Sequence, residues 1–193
     1  LAALNIGHND TVSVFAFNTP EMFESHFSVP MTGAVLNAIN TRLDAATVAY
    51  IIDHGESRLV MVDRQLWPVL QDALQLSELN PDIILIDDPD AELKPELPAD
   101  LQFTDYEQLV TDGDEFYQWQ LPEDEWQALA LNYTSGTTGK PKGVVYHHRG
   151  SYLMTMGTVL SWSLPSHPRY LYTVPMFHCN GWGHAWTMTA IAA

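Results

Sequence analysis

The residues best suited to chemistry lie in one loop, residues 133–143, which reads YTSGTTGKPKG. The loop combines four Ser or Thr hydroxyls, three glycines and two lysines in eleven positions. Glycine lets the backbone approach a ligand closely, hydroxyl groups donate hydrogen bonds, and lysine supplies positive charge. This composition predicts a site for a polyphosphate, and a Gly/Ser/Thr surface hairpin with solvated lysines is the alternative interpretation.

Two common nucleotide-binding patterns do not fit this loop. The pattern G-x-x-x-x-G-K-[ST] requires Ser or Thr after Gly139 and Lys140, where this chain has Pro141. It also requires glycine where the chain has Thr134. The dinucleotide pattern G-x-G-x-x-G is absent from the loop as well. A phosphate site here must therefore be of another kind.

The charge distribution also favours an anion at this loop. The chain carries 24 acidic and 8 basic side chains, a formal net charge of -16, which disfavours nucleic acid and anionic membrane surfaces as partners. Fifteen carboxylates lie within residues 82–125, where Lys94 is the only basic residue. We interpret that segment as solvated surface, with a docking surface for a basic partner as the alternative. In contrast, Lys140, Lys142 and Arg149 fall within ten positions.

The first half of the chain has the pattern of an α/β fold. A buried strand is predicted at residues 11–17, followed by a helix that Thr19 caps and that ends before Pro30. Asp44 should cap a second helix, with Gly55 as its left-handed C-terminal residue. Beyond it, the order of predicted elements is a strand at 59–62, a helix at 64–76 and a strand at 83–86. This order is typical of a parallel sheet with right-handed crossovers.

The second half contains the loop and the elements that would position it. An irregular acidic connection with a helical patch at 106–110 comes first. Strands at 128–133 and 144–146 then flank the loop, a helix begins near Gly150, and a strand is predicted at 170–174. We place the boundary between the two predicted subdomains, residues 1–126 and 127–193, just before the first of these strands.

Two further groups of residues invite a functional reading. Cys179 with His178 and His184 suggests a zinc site or a nucleophilic thiol, but the spacing is not that of a structural zinc site, and no base is evident for the thiol. His147 and His148 would point to opposite faces of a strand and so cannot form a metal pair. We therefore predict no protein metal site. The single cysteine excludes an intrachain disulfide and fits a reducing compartment, so a cytoplasmic location without a membrane span is expected.

Residues 135–143, SGTTGKPKG, resemble the signature loop of the adenylate-forming superfamily, which includes acyl-CoA synthetases, luciferases and nonribosomal adenylation domains. The following VVYHHRG and the later PMFHCNGW resemble the family too, as does the upstream NTPEMFESHFSVPMTGAVLNAINTRL. The details are closest to short- and medium-chain acyl-CoA ligases, including methylthioalkanoate–CoA ligases. The resemblance implies the N-terminal part of that family's large domain: a parallel-sheet α/β subdomain and the start of a second sheet subdomain.

The resemblance also implies a reaction. A carboxylic acid attacks the α-phosphate of ATP and releases pyrophosphate, and coenzyme A then displaces AMP. Catalysis of this kind depends mainly on positioning and charge stabilisation. Mg²⁺ would share the charge of the phosphates, and Lys140 stands at a variable position of the motif. By motif position, the β- and γ-phosphates would be held by Ser135, Gly136, Thr137, Thr138, Gly139 and Lys142.

The same resemblance gives roles to three residues near the end of the chain. His178 matches a family position near the carboxyl group of the acyl-adenylate, with a hydrogen-bonded structural histidine as the alternative. Trp182 and Trp186 would form walls of the acyl pocket, with ordinary core packing as the alternative.

Several parts that the resemblance implies are not in this chain. The family completes its site with a Tyr-Gly-x-Thr-Glu segment whose Glu helps bind Mg²⁺, an Asp that holds the ribose, and a Lys on a mobile C-terminal domain. We therefore interpret the chain as an N-terminal fragment with little activity alone. Transfer of the acyl group to a carrier protein, a truncated nucleotide-binding remnant without activity, and assembly into a homo-oligomer stay open.

Overall fold

The computed structural model describes residues 1–119, 121–134 and 139–193. Its centre is a seven-stranded sheet with the order β5-β4-β3-β1-β2-β6-β7. The strands are β1 (Thr11–Phe15), β2 (Val35–Ala38), β3 (Ser57–Asp63), β4 (Asp82–Ile86), β5 (Thr104–Asp105), β6 (Ala128–Thr134) and β7 (Lys142–His147). The helices are α1 (Pro20–Ser28), α2 (Ala45–His54), α3 (Trp67–Leu76), α4 (Tyr106–Thr111), α5 (His148–Ser161), the short turn α6 (Cys179–Trp182) and α7 (His184–Ala190).

Parallel pairing dominates the sheet. Strands β1 to β6 pair in parallel, and β6 and β7 form an antiparallel hairpin at one edge. Parallel neighbours need a crossover connection. Helices α1, α2 and α3 provide it by joining β1 to β2, β2 to β3 and β3 to β4. The predicted parallel α/β architecture is thus confirmed.

Apolar clusters pack on both faces of the sheet. One strand can contribute to both clusters because its successive side chains point to opposite sides. Val12 and Val14 of β1 belong to one apolar cluster, which includes Met22 of α1. Phe15 belongs to a second cluster, with apolar residues of α2 and α3. A strand buried on both faces reads as a continuous apolar run, as β1, β3 and β4 do. Within the described residues, no helix has the length and apolar composition needed to cross a bilayer.

The helix starts follow the predicted capping chemistry. The Thr19 hydroxyl accepts a hydrogen bond from the Met22 amide at 3.4 Å, and Pro20 occupies the first turn of α1. The Asp44 carboxylate accepts from the Thr47 amide at 2.8 Å at the start of α2. These contacts satisfy amides that the helix itself leaves without partners.

The prediction of a left-handed Gly55 was wrong. Gly55 has a right-handed φ of -84°, and the left-handed position belongs to Glu56, with φ of 51°. Glycine is needed at position 55 for space: a Cβ there would lie 2.8 Å from the Ile51 carbonyl oxygen and 3.4 Å from Asn37 Nδ2. The space for a side chain at position 55 is thus limited by the packing of the helix end against β2.

The predicted strand at 170–174 was also wrong, and β2 was missed. Residues 170–174 pair with none of the described strands; instead, the Asn18 side chain binds the Tyr172 and Val174 carbonyls and the Met176 amide. Strand β2 lacks the β-branched run that predicts a strand and contains Asn37. That asparagine is tolerated in the sheet interior because its Nδ2 donates to Ser13 Oγ at 2.8 Å.

One sheet runs through both predicted subdomains. Strand β6 pairs with β2 through Leu36↔Ala130 and Asn37↔Leu131, so the second half of the chain continues the first sheet. The boundary at 126/127 stays a prediction.

Candidate functional site

The hairpin of β6 and β7 brings the two ends of the candidate phosphate loop together. Thr134 pairs with Lys142, and Tyr133 pairs with Gly143. Gly139 has φ of +95°, and no atom of the described residues lies within 4 Å of the place of a Cβ, so these residues leave its backbone free for close approach of a ligand. The other predicted phosphate-binding residues, Ser135, Gly136, Thr137 and Thr138, lie outside the described residues.

Two lysines supply the positive charge of this hairpin. Lys140 Nζ lies 5.4 Å from the centroid of the Tyr50 ring, within the range of a cation–π contact. Lys142 is exposed, and neither lysine forms an ion pair with a described carboxylate. Arg149, the third basic residue of the predicted cluster, is paired with Glu125 at 2.9 Å. Within the predicted cluster, Lys140 and Lys142 are therefore the two basic residues without a described ion pair.

Helix α2 contacts both ends of the loop through an aromatic cluster. His54 Nδ1 and the Tyr133 hydroxyl are hydrogen-bonded at 2.7 Å, and the two rings meet edge to face. Tyr50, one helical turn earlier, packs against both His54 and Tyr133 and carries Lys140 on its face. Burial, with a smaller contribution from Tyr50, raises the pKa of Tyr133 to about 12, so its hydroxyl stays protonated.

His178 precedes a turn of left-handed helix. Its side chain is exposed, and its carbonyl oxygen accepts from the Gly181 amide at 2.9 Å. All of residues 179–183 have φ between 49° and 66°, and Asn180 and Gly181 lie close to the ideal left-handed helix. Each non-glycine residue in that conformation costs about 1–2 kcal/mol, so this turn needs compensating contacts.

Several contacts hold this turn in place. Asn180 is fully buried, and its Oδ1 accepts from Asn132 Nδ2 at 2.7 Å. The Tyr172 hydroxyl donates to the Gly181 carbonyl at 3.1 Å. A Cβ on Gly183 would meet Met154 of α5 at 2.0 Å, so the turn packs directly against that helix.

The two tryptophans of the predicted acyl pocket lie at different cavities. Trp182 is 61% exposed and lines an apolar groove of about 320 Å³, together with Tyr146, Met154 and Cys179. Trp186 lines a larger cleft of about 680 Å³, where its indole NH donates to the His26 carbonyl at 3.0 Å. Trp182 belongs to the His178 turn, and Trp186 Cε3 would lie 3.5 Å from a Cβ on Gly183 of the same turn; the pocket role of both stays a prediction.

The neighbouring histidines and cysteine have partners of their own. His184 Nδ1 bonds to the Tyr170 hydroxyl at 2.5 Å, and burial lowers the pKa of His184. His147 Nδ1 accepts from the Gly150 amide and caps α5. Cys179 Sγ lies 3.9 Å from His178 Nε2. Within the described part of the chain, no three His, Cys, Asp or Glu side chains converge as a protein metal site would require.

The comparison with protein families matches the whole chain, residues 1–193, to the family described as AMP-binding enzyme. The chain belongs to this family. It is 44% identical over its full length to an acetate/butyrate–CoA ligase of Arabidopsis thaliana that is described as peroxisomal, of which it covers 35%. It is 42% identical over 99% of its length to a 2-methylpropanoate–CoA ligase of Humulus lupulus, and again covers 35% of that protein.

Solved structures agree on the fold of this AMP-binding chain. A long-chain-fatty-acid–CoA ligase of Archaeoglobus fulgidus matches 99% of the chain with a TM-score of 0.83 at 17% identity, and 35% of that protein is covered. The O-succinylbenzoate coenzyme A synthetase of Bacillus subtilis, solved with AMP, matches 98% of the chain with a TM-score of 0.72 at 21% identity, and 44% of it is covered. The chain spans about a third of the length of the curated relatives that it matches.

Sequence reasoning missed the residues that support the loop and the turn. Tyr50 and His54 were not singled out from the sequence, because nothing local links them to the loop: His54 and Tyr133 are 79 residues apart. For the turn there was a signal: Asn180, Gly181 and Gly183 are the residue types that adopt positive φ most easily.

Proposed function

We propose that this chain is the first third of an ATP-dependent acid–thiol ligase that converts a short- to medium-chain carboxylic acid to acyl-AMP and then to acyl-CoA. The observation that carries the proposal is the β6–β7 hairpin, which presents SGTTGKPKG with two lysines free of described ion pairs in a chain that the AMP-binding family matches throughout. The alternative, a Gly/Ser/Thr surface hairpin with solvated lysines, predicts instead that ATP use does not depend on these lysines.

The hairpin suits the phosphates of ATP in two ways. Open space around Gly139 allows the backbone to approach a phosphate, and Lys142, at the start of β7, supplies a charged donor next to Thr134. We propose that Ser135, Gly136, Thr137 and Thr138 complete this site with their amides and hydroxyls. Mg²⁺, bound to the phosphates, would neutralise part of their charge. The described residues offer no separate metal cluster, and the Glu that the family resemblance assigns to Mg²⁺ belongs to a segment outside residues 1–193.

The acid is proposed to bind beside the His178 turn. The groove next to Trp182 is apolar, and its volume of about 320 Å³ is at the lower end of the range for small-molecule sites, about 300–1,000 Å³. The names of two relatives specify acetate, butyrate and 2-methylpropanoate, which are small acids. We propose that this chain's ligase takes a short acid whose carboxylate is oriented by His178.

We predict that Lys142→Ala in the full-length ligase raises the KM for ATP about tenfold or more, because a charged hydrogen bond to phosphate is lost. Lys94→Ala is the matched control, since Lys94 lies on the surface 3.6 Å from Asp87. ATP–pyrophosphate exchange measures both variants. Equal KM values for ATP in the two would remove the phosphate role of the hairpin.

We also predict that His178→Ala slows acid-dependent exchange without lowering the melting temperature. The side chain is exposed, and among the described residues its one hydrogen-bond partner is Cys179 at 3.9 Å, so we expect that the fold does not depend on it. Thermal unfolding and exchange kinetics on the same preparation separate the two roles. Normal exchange with reduced stability would make His178 a structural residue.

Two other functions use the same hairpin. An adenylating enzyme that loads a carrier protein would form no acyl-CoA when coenzyme A is supplied, and a remnant would show no exchange at all. A cytoplasmic location remains our proposal, although the name of one relative places that protein in the peroxisome. Assembly into a homo-oligomer is tested by light scattering of the full-length ligase.

A further inference from the structure

A buried asparagine pair connects the strand that leads into the phosphate loop with the turn that follows His178. Asn132 lies on β6, two residues before that strand ends at Thr134. Asn180 lies two residues after His178, at the centre of the left-handed turn. The bond from Asn132 Nδ2 to Asn180 Oδ1 is 2.7 Å long, and the two residues are 4% and 0% exposed.

The pair is an unusual element of a core. Besides the bond that they share, Asn132 Oδ1 and Asn180 Nδ2 have no hydrogen-bond partner among the described residues. Exchange of nitrogen and oxygen in both amides would reverse the bond and again leave one donor and one acceptor unpaired, so the connection does not depend on the assignment. Buried polar atoms without partners are costly, and apolar side chains would fill this space more favourably. The pair is therefore poorly explained by stability alone.

The turn itself is held from three directions. Asn180 faces β6, the Tyr172 hydroxyl binds the Gly181 carbonyl, and Gly183 packs against Met154. The extended segment before the turn is held by Asn18, which binds the Val174 carbonyl and the Met176 amide. Strained backbone of this kind persists only where its surroundings determine it, and it is concentrated at functional sites.

We propose that Asn132 and Asn180 are positioning residues that fix the His178 turn relative to the phosphate loop, so that the acid carboxylate and the nucleotide phosphates are held in one geometry. This inference rests on the proposed function. Asn132 acts through β6 on the loop, and Asn180 acts through the turn on His178 and Trp182. The hydrogen bond between Asn132 and Asn180 joins these two segments directly.

The experiment is a double-mutant cycle on the full-length ligase, measured by ATP–pyrophosphate exchange with the acid and ATP varied in turn. Asn180→Gly removes the amide and leaves the left-handed backbone accessible, because glycine adopts φ of +51° without steric cost. Asn132→Ala removes the partner. Asn37→Ala is the matched control: Asn37 is equally buried, lies on the neighbouring strand β2 and makes one hydrogen bond, to Ser13 rather than to the turn.

We expect each substitution to raise the KM for the substrate that binds at the other end of the Asn132–Asn180 hydrogen bond. Asn132→Ala should raise the KM for the acid about three- to tenfold, and Asn180→Gly should raise the KM for ATP by a similar factor. The double variant should be no more impaired than the more impaired of the two single variants, because both substitutions remove the same hydrogen bond. Asn37→Ala should change the melting temperature and leave both KM values unchanged.

Three outcomes would overturn the inference: losses that multiply in the double variant, variants that change stability alone, or a control that changes the KM values equally. If Asn132→Ala does not fold, Asn180→Gly decides, and an unchanged KM for ATP refutes the link. Absence of exchange in the unmodified ligase would refute the proposed function itself, and the inference with it. Normal exchange in the unmodified ligase with multiplying losses refutes the inference alone.

Discussion

His26 is a buried histidine of helix α1. Its spacing from Met22 predicts a helix residue, and only 1% of it is exposed. Its Nδ1 bonds to the Met22 carbonyl at 2.8 Å, and the ring meets Trp186 edge to face. Burial lowers the pKa of His26 to about 4, so the imidazole is neutral in the folded protein at neutral pH. Trp186 and His26 therefore form a structural contact between α7 and α1.

This burial predicts a pH dependence of stability. Between pH 6.5 and about 4, the unfolded chain binds a proton at His26 that the folded protein does not. The free energy of unfolding should thus fall as the pH decreases through this window, by up to about 3 kcal/mol from this residue. In His26→Gln the loss between pH 7 and 4 should be smaller by that amount. Urea unfolding at both pH values measures it.

The control for this prediction is His8→Gln, because His8 is an exposed histidine on the same side of the molecule. It should leave the pH dependence of the wild type unchanged. Equal pH dependence in His26→Gln and the wild type would mean that His26 is protonated in the folded state as readily as in the unfolded chain.

At the level of elements, helix α2 links the packing of the sheet to the phosphate loop. Its apolar residues Val48, Ile51 and Ile52 are buried in one core cluster. Its other face carries Tyr50 and His54, which contact Lys140 and Tyr133 at the two ends of the loop. A rigid helix fixed by its core face can hold these contacts in place, which suits a site that depends on positioning.

Tyr50 allows a test of this role with a matched pair of variants. Tyr50→Phe keeps the ring under the Lys140 ammonium and should leave the KM for ATP unchanged. Tyr50→Leu removes the cation–π contact, which is worth about 0.5–1 kcal/mol at an exposed site, and should raise that KM about two- to fivefold. Exchange kinetics with ATP varied would measure both. Identical KM values in the two variants would show that the ring does not hold Lys140 for ATP binding.

The elements also show where sequence reasoning succeeds and where it stops. Strands β1, β3 and β4 and the capped helices α1 and α2 could be predicted because apolar runs and capping residues are local signals. Strand β2 could not, since Asn37 is buried through a partner on another strand. The extended segment at 170–174 has the composition of a strand, but side-chain bonds from Asn18 take the place of a neighbouring strand. The roles of Tyr50 and Asn132 could not be predicted from any local pattern in the sequence.

At the scale of the whole molecule, several large apolar side chains of β7, α5 and the turn after His178 are exposed. Val145 is 59% exposed, Tyr152 66%, Leu160 74% and Trp182 61%. Monomeric proteins seldom expose large contiguous apolar patches. The curated relatives are about three times as long as this chain, and a longer protein has polypeptide that can cover such a surface.

The isolated chain tests whether residues 1–193 contain a complete adenylating site. Residues 1–193 expressed alone should fold, since buried apolar clusters pack on both faces of the sheet, but should catalyse no ATP–pyrophosphate exchange. The family resemblance assigns the ribose-binding Asp, the Mg²⁺-binding Glu and the catalytic Lys to segments that these residues do not include. Circular dichroism and thermal unfolding establish the fold, and the exchange assay is run beside the full-length ligase at equal concentration. The variant Leu160→Glu, on the apolar surface, controls for loss of activity by self-association. It should make the chain more soluble and leave it inactive, whereas exchange by either form would place a complete adenylating site within residues 1–193.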